Sequence, residues 1–206
     1  FVVTDQEDNQ IGAFYTGAMK YNRDLTLMSF PRRRESLSNN TNVKFGSTTT
    51  VYADDFIIIS PHDPKGMLRH VREAQELKIA YMYDPAFQID IFSADELLDG
   101  IKHAAILIGN DYEISLIEKK LNIKHNDLIN LCPVIITTLG NQGSKIVSRI
   151  KNRELRIKPA KPINTSDPTG AGDAYRAGFL AGFLSGFDLQ TCGRMGSVAA
   201  VYTVEK

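Results

Sequence analysis

The feature that most constrains the fold is a regular alternation of short apolar runs and amphipathic stretches after Thr50. The apolar runs are predicted strands at 56–59, 80–83, 105–108 and 134–138. The stretches between them have the spacing of helices, near 65–77, 94–102 and 113–121. Strands that alternate with helices predict βαβ units and a mostly parallel sheet buried on both faces. We therefore expect an α/β fold.

Length and charge exclude several classes of protein. The chain has 206 residues, of which 43% are hydrophobic, so it can bury the core of one large domain. Its 24 basic side chains balance 24 acidic ones, which removes the broad basic field of a nucleic-acid-binding protein. The longest apolar run, 177–187, is shorter than the roughly 20 residues that cross a bilayer. Neither nucleic acid nor membrane is an expected partner.

The cysteines and the chain ends carry two further expectations. Cys132 and Cys192 lack a nearby partner, and the four histidines show no metal-ligand spacing, which favours reduced thiols in a cytoplasmic protein. The chain opens on Phe1 inside a strand-like run and stops at Lys206 in what reads as an unfinished helix. These ends predict a chain that is truncated on both sides.

The first fifty residues follow a different pattern. Two β-rich runs, 1–4 and 11–15, flank a polar segment and predict a hairpin. Residues 29–50 are rich in Ser, Thr and Asn, contain three consecutive arginines from Arg32, and have no apolar periodicity, which predicts an irregular loop. The predicted division is a hairpin with its connection (1–28), a polar and basic insert (29–50) and an α/β core (51–206).

The loops after the predicted strands are the places to search for chemistry, because parallel sheets bind ligands beyond the carboxyl ends of their strands. Asn110 and Glu113 offer oxygen atoms that suit Mg²⁺ and its waters. The run from Thr138 to Gly143 is a glycine-bearing loop that a nucleotide can approach. Asp84 before Pro85 is read either as a strand-ending turn or as a group that helps to organise the waters of Mg²⁺.

The strongest local signal is the segment 167–178, where Gly170 to Gly172 precede an apolar helix. Small residues at a helix N-terminus leave backbone N–H groups open to an anion such as phosphate. Asp173 in the same turn supplies a carboxylate that can accept a proton from an attacking hydroxyl. The alternative is that Asp173 only caps the helix and the glycines only form a tight turn. Arg176 faces either the phosphate or an acid.

Glycines recur every four residues in the same helix, at Gly178, Gly182 and Gly186. In a helix that is too short to span a membrane, this spacing indicates close packing. We expect the glycine face of this helix to lie on the sheet.

These motifs resemble the ribokinase-like, or PfkB, family of carbohydrate and nucleoside kinases. Residues 167–173 together with 177–180 resemble the family's C-terminal signature, and Asn110-x-x-Glu113 resembles its Asn-x-x-Glu motif. The loop from Thr138 to Gly143 resembles its ATP-contacting loop. Residues 4–11 and 17–19, together with 173–178, are most similar to the prokaryotic adenosine kinase-like branch of the family. The resemblance implies a three-layer α/β/α fold with a mostly parallel sheet and a small β lid hairpin.

The resemblance also implies roles for individual residues. Asp173 is implied as the catalytic base, with the amides of Gly170, Ala171 and Gly172 as the anion hole. The implied contacts to ATP are Asn110, Thr138, Gly140, Gly143, Gly170 and Gly172. Asn110 and Glu113 are implied to hold Mg²⁺ through water. Asp167, with Thr169, corresponds to a position that in some members helps to hold a monovalent cation such as K⁺.

The expected activity is transfer of the γ-phosphoryl group of ATP to a hydroxymethyl oxygen of an adenosine-like nucleoside or a sugar. Two alternatives stay open, a sugar kinase with a different acceptor and a non-catalytic nucleotide-binding remnant of such a kinase. The family's Gly-Gly segment is absent before Phe1, so we expect the phosphate-transfer corner to be retained and much of the acceptor site to be lost. A homodimer through the lid hairpin is a further expectation.

Overall fold

The structure is a computed structural model that describes residues 2–4, 10–12, 24–27, 42–45, 49–52, 56–150, 152–164 and 167–205. Near the start of the chain, β1 (Val2–Thr4) pairs antiparallel with β2 (Gln10–Gly12), which confirms the predicted hairpin. The division of the chain into three segments and the homodimer through the lid stay predictions.

A second antiparallel pair lies where the sequence predicted an irregular loop. Strands β3 (Asn42–Phe45) and β4 (Thr49–Tyr52) pair with each other, so the loop prediction for 29–50 is wrong in its C-terminal part. Thr and Val in this stretch favour extended backbone even though the composition is polar. The three arginines that begin at Arg32 lie outside the described residues.

The core is one six-stranded sheet in the order β10-β9-β8-β7-β6-β5. Its strands are β5 (Phe56–Ile59), β6 (Ala80–Tyr83), β7 (Ile106–Asn110), β8 (Val134–Thr138), β9 (Ser144–Ser148) and β10 (Arg153–Ile157). Strands β5 to β8 are parallel, as predicted, and β9 and β10 add an antiparallel extension that the sequence reading did not identify.

Six α-helices lie in the described part of the core. They are α1 (Pro64–Leu77), α2 (Ala94–Lys102), α3 (Asp111–Leu121), α4 (His125–Leu131), α5 (Ala171–Leu184) and α6 (Leu189–Val204). The three helices predicted between strands are therefore confirmed within two residues at each end. Helix α1 begins at Pro64 because proline fits the first helical position and the Asp63 side chain accepts a 3.1 Å hydrogen bond from the Gly66 N–H.

The helices cover both faces of the sheet. Because successive side chains of a strand point to opposite faces, Tyr81, Tyr83 and Leu107 pack against α1 to α4. Met82 and Ile106, from the same strands, pack against α5 and α6. The two resulting hydrophobic clusters confirm the expected three-layer α/β/α arrangement.

The glycines of α5 pack against α6 and not against the sheet, which corrects the sequence prediction. A Cβ atom on Gly178 would lie 2.6 Å from the carbonyl oxygen of Met195, and one on Gly182 would lie 2.8 Å from its sulfur atom. The sheet-facing side of α5 is formed instead by aromatic side chains such as Phe179. None of the described helices combines the length and the apolar character needed to cross a membrane.

Candidate active site

The carboxyl edge of the parallel strands brings the predicted loops together. Asn110 ends β7 and Thr138 ends β8, and the two residues are partners in the register of these strands. Tyr83 ends β6 and is paired with Leu107, so Asp84 follows at the same edge. Residues from three separate loops therefore meet where parallel sheets bind ligands.

Asn110 and Glu113 hold each other in a reciprocal capping arrangement at the start of α3. The Glu113 N–H donates to the Asn110 side-chain oxygen, and the Asn110 N–H donates to Glu113 Oε2, both at 2.7 Å. A Cβ atom on Gly109 would lie 3.2 Å from Glu113 Oε2, so glycine allows the carboxylate to fold back. The arrangement fixes two oxygen-bearing side chains at the edge of the sheet.

The loop between β8 and β9 is a tight turn that depends on glycine. Gly140 and Gly143 have positive φ angles of 54° and 90°, which favour glycine. A Cβ atom on Gly143 would lie 2.0 Å from the carbonyl oxygen of Ile157, whereas nothing lies within 4 Å of the corresponding position on Gly140. Gly143 is therefore required by packing, and Gly140 leaves the backbone open for a ligand.

The N-terminus of α5 contains the predicted phosphate loop. Gly170 precedes the helix with a φ of 83°, and its carbonyl oxygen accepts a 2.9 Å hydrogen bond from the Ala174 N–H. The Ala171 N–H donates to the carbonyl oxygen of Pro168 at 3.0 Å, so it is engaged within the turn. The N–H groups of Gly172 and Asp173 belong to the first turn, whose donors have no acceptor inside a helix. The anion hole stays a prediction that rests most on these two groups.

Asp167 shapes the turn that precedes this loop. Its Oδ1 atom accepts a 2.8 Å hydrogen bond from the Thr169 N–H. That backbone hydrogen bond, with help from the Thr169 hydroxyl, holds the pKa of Asp167 below its usual value. A carboxylate that stays ionised suits a cation, but the predicted monovalent cation at Asp167 is not tested by these contacts.

Arg176 joins two acids that come from different elements. Its Nη1 atom lies 2.7 Å from Oδ2 of Asp84, and its Nη2 atom contacts Oδ1 of Asp173. The side chains of Arg176 and Asp84 are 19% and 1% exposed, whereas that of Asp173 is 79% exposed. Of the two predicted orientations of Arg176, the structure shows the one toward an acid, and Arg176 pairs with two acids.

Asp84 is a buried carboxylate with an unusual environment. Burial raises its pKa to about 7; Arg176 opposes this shift, and the nearby charges of Glu113 and Asp173 add to it. The backbone N–H of Ala86 also lowers the pKa, but within the described residues neither carboxylate oxygen accepts a hydrogen bond of good geometry. The contact with Arg176 is therefore an ion pair without hydrogen-bond alignment.

The described residues contain no group of three or more His, Cys, Asp or Glu side chains that could hold a metal ion directly. The oxygen atoms of Asn110, Glu113 and Asp84 nevertheless lie along one edge of the sheet, and those of Asp84 lack well-directed donors. Mg²⁺ prefers oxygen ligands and keeps several of its waters in proteins. The residues present therefore fit a magnesium ion that is held through water.

A three-layer α/β protein with a glycine turn, a helix N-terminus and a carboxylate at one sheet edge has an architecture that can bind a phosphate group. The profile of the pfkB carbohydrate kinase family matches residues 1–206. The nucleoside kinase of Methanocaldococcus jannaschii is 32% identical over all 206 residues, which cover 60% of that relative. The chain therefore belongs to the pfkB family of carbohydrate kinases.

Solved structures agree with this assignment. The nucleoside kinase of Burkholderia thailandensis in complex with inosine has a TM-score of 0.82 and 26% identity, covering 100% of this chain and 60% of that one. A structure of the same kinase in complex with ADP-inosine also has a TM-score of 0.82 and 26% identity, with 100% and 57% covered. The ribokinase of Thermotoga maritima, with a TM-score of 0.71, 17% identity and coverage of 100% and 62%, shares the fold. The expected ribokinase-like fold is confirmed, and the chain spans about 60% of these relatives' length.

Proposed function

We propose that this chain carries the phosphoryl-transfer site of an ATP-dependent nucleoside kinase. The observation that carries the proposal is the position of Asp173, an exposed carboxylate in the first turn of α5, directly after the glycine-bearing turn. A helix N-terminus attracts the transferring phosphoryl group, and a carboxylate beside it can take a proton from the attacking hydroxyl. The family match along the whole chain supports the same chemistry.

In the proposed reaction, a hydroxymethyl oxygen of the acceptor forms a bond with the γ-phosphorus of ATP. The bond between that phosphorus and the oxygen that bridges it to ADP breaks, and ADP leaves with the electron pair. The acceptor hydroxyl gives its proton to Asp173. The N–H groups of Gly172 and of Asp173 itself, with the helix dipole, stabilise the negative charge on the transferring group.

The donor nucleotide would lie along the edge formed by β7 and β8. Asn110 and Thr138 are adjacent there, and the open backbone at Gly140 lets a nucleotide approach. Asn110 and Glu113 would hold Mg²⁺ through its waters. When bound, this ion neutralises charge on the phosphates. A monovalent cation near Asp167 and Thr169 belongs to the same proposal.

A nucleoside is the proposed acceptor because both a 32% identical relative and a solved structure at a TM-score of 0.82 are named nucleoside kinases. The solved structure holds inosine. The competing acceptor is a free sugar, since the family is named for carbohydrate kinases and the fold is shared with a ribokinase.

A panel of acceptors tests the proposal. The purified protein is incubated with Mg-ATP and inosine, adenosine, cytidine or ribose, and the phosphorylated product is identified by mass spectrometry. Nucleoside 5′-phosphates are the expected products. Ribose phosphate alone would replace the nucleoside by a sugar. Thermal stabilisation by Mg-ATP without product from any acceptor would refute the kinase and favour the non-catalytic nucleotide-binding remnant. The Asp95→Asn variant is a matched control, because Asp95 is an exposed acid in the first turn of another helix.

A further inference from the structure

Arg176 lies in the second turn of α5 with its charged side chain largely buried. A long charged side chain that is 19% exposed loses conformational freedom and hydration, and it usually does so for a specific partner. Arg176 has two partners, one on its own helix and one at the end of β6. The position that a Cβ atom on Gly172 would take lies 3.9 Å from Arg176 Nη1, so the guanidinium lies beside the phosphate loop.

Asp84 is the buried partner of Arg176. Its side chain is 1% exposed, it follows β6 directly, and its backbone N–H donates a 3.0 Å hydrogen bond to the carbonyl oxygen of Ile59 on the next strand. An uncharged residue would fill the same space without the cost of a buried charge. This buried carboxyl group is therefore better explained by the contact it makes, since its Oδ2 atom lies 2.7 Å from one nitrogen of Arg176.

Asp173 is the exposed partner of Arg176. Its side chain is 79% exposed, so packing does not determine its orientation. The second nitrogen of Arg176 binds its Oδ1 atom, and no described residue forms a hydrogen bond with Oδ2. Arg176 thus fixes one oxygen of the carboxylate and leaves the other to accept a proton. An arginine suits this task because its planar guanidinium presents several N–H donors in fixed directions.

We infer that Arg176 is a positioning residue for phosphoryl transfer, anchored by buried Asp84 so that it orients the Asp173 carboxylate toward the acceptor hydroxyl. The inference rests on the proposed function and adds to it a residue pair outside the glycine turn. The proton of the acceptor passes to Oδ2 of Asp173, while Arg176 keeps its charge and its contact with Oδ1. Correct orientation of reacting groups accelerates a reaction without changing how tightly the ground state is bound.

The test compares steady-state kinetics of the wild-type protein with those of Arg176→Ala, Asp84→Asn and the double variant. For Arg176→Ala we expect kcat to fall about 10²-fold, with the KM values of ATP and nucleoside changing by less than about threefold. Asp84→Asn should lower kcat by about tenfold. Because the two residues act as one unit, the double variant should match Arg176→Ala within about twofold.

Chemical rescue separates positioning from a structural role. Millimolar guanidinium ion should restore part of the kcat of Arg176→Ala and leave the wild-type kcat unchanged. Arg194→Ala, which removes an exposed arginine from α6, is the matched control and should behave like wild type in both conditions. If Arg176→Ala does not fold, Arg176→Lys takes its place, with an expected loss of about tenfold because one ammonium group cannot bridge two carboxylates in the same geometry.

The outcomes distinguish the two claims. A wild-type protein without kinase activity refutes the proposed function, and the role assigned to Arg176 falls with it. An active wild type with an Arg176→Ala variant whose kcat changes less than about threefold overturns the inference alone. Losses that multiply in the double variant, without guanidinium rescue, would show that Arg176 and Asp84 act separately and would also overturn it.

Discussion

The hydroxyl group of Thr26 donates a 2.6 Å hydrogen bond to the carboxylate of Glu73, a buried residue of α1. The Leu27 N–H donates to the other oxygen at 2.7 Å, and Arg69 binds the first oxygen from one helical turn away. Glu73 therefore ties the described segment 24–27 to the helical layer of the core. These hydrogen bonds, together with the charge of Arg69, outweigh the effect of burial and hold the pKa of Glu73 below its usual value.

Glu73→Gln should destabilise the protein by about 2 kcal/mol at neutral pH, because the amide can accept only part of these hydrogen bonds. A carboxyl group with a depressed folded-state pKa stabilises the protein above its unfolded-state value and loses that contribution as the pH falls through the folded-state pKa. The difference from wild type should therefore shrink as the pH falls below 4.5. Urea denaturation across that range measures it, with the exposed Glu76→Gln as control. A difference that is independent of pH would contradict the assignment.

The pKa of Asp84 is shifted in the opposite direction from that of Glu73. Its folded-state pKa of about 7 is above its ordinary value of 3.8, so the folded protein binds more protons than the unfolded chain between these values. Stability from this group is fully present below the unfolded-state pKa and is lost as the pH rises toward 7. Asp84→Asn should consequently raise the Tm relative to wild type at pH 8, and the gain should narrow at pH 5. Parallel Tm curves for the two proteins would show that the Asp84 carboxyl titrates normally.

Two glycines of the β8–β9 turn provide a matched pair. Gly143→Ala should lower the free energy of unfolding by about 3 kcal/mol or more. The added Cβ atom would lie 2.0 Å from the carbonyl oxygen of Ile157, which is a severe steric clash. Gly140→Ala should cost only about 1–2 kcal/mol, the penalty of a positive φ without a clash. Chemical denaturation of both variants tests the turn, and equal losses would contradict the geometry.

Glu113 allows its helix-capping role to be separated from its proposed role at Mg²⁺. Glu113→Gln keeps an oxygen for the Asn110 N–H, and glutamine also supports a capping box, so the Tm should hardly change. The variant loses its charge, so the Mg²⁺ concentration for half-maximal activity should rise about tenfold. Titration of activity with Mg²⁺ measures this effect. An unchanged midpoint would assign Glu113 to capping alone.

The sequence predicted the parallel part of the sheet because buried central strands such as Val134–Thr138 begin with an apolar, β-branched run. It did not identify β10, whose residues Arg153, Glu154 and Arg156 read as a polar segment, because an edge strand buries fewer of its side chains. The strands at 42–45 and 49–52 were not predicted because Ser, Thr and Asn dominate the region from 29 to 50.

The site was predictable where its residues form local motifs. Asn110 with Glu113, and Gly170 with Asp173, lie within one helical turn, so spacing alone indicates that they are close. The contact between Asp84 and Arg176 joins the end of β6 to α5 across the edge of the sheet. No periodicity encodes such a contact, and neither interpretation of the Asp-Pro pair, a strand-ending turn or a group near the waters of Mg²⁺, predicts a partner on α5.

The central claim is that Asp173 accepts the proton during phosphoryl transfer. It is tested most directly by Asp173→Asn, which keeps the size of the side chain and removes its basicity. We measure the turnover of Mg-ATP with the acceptor selected from the panel, and the Kd of Mg-ATP by calorimetry. The account predicts that kcat falls by about 10³-fold while the Kd stays within about twofold. Equal losses of turnover and of ATP affinity would contradict it and would assign Asp173 to the structure of the phosphate loop.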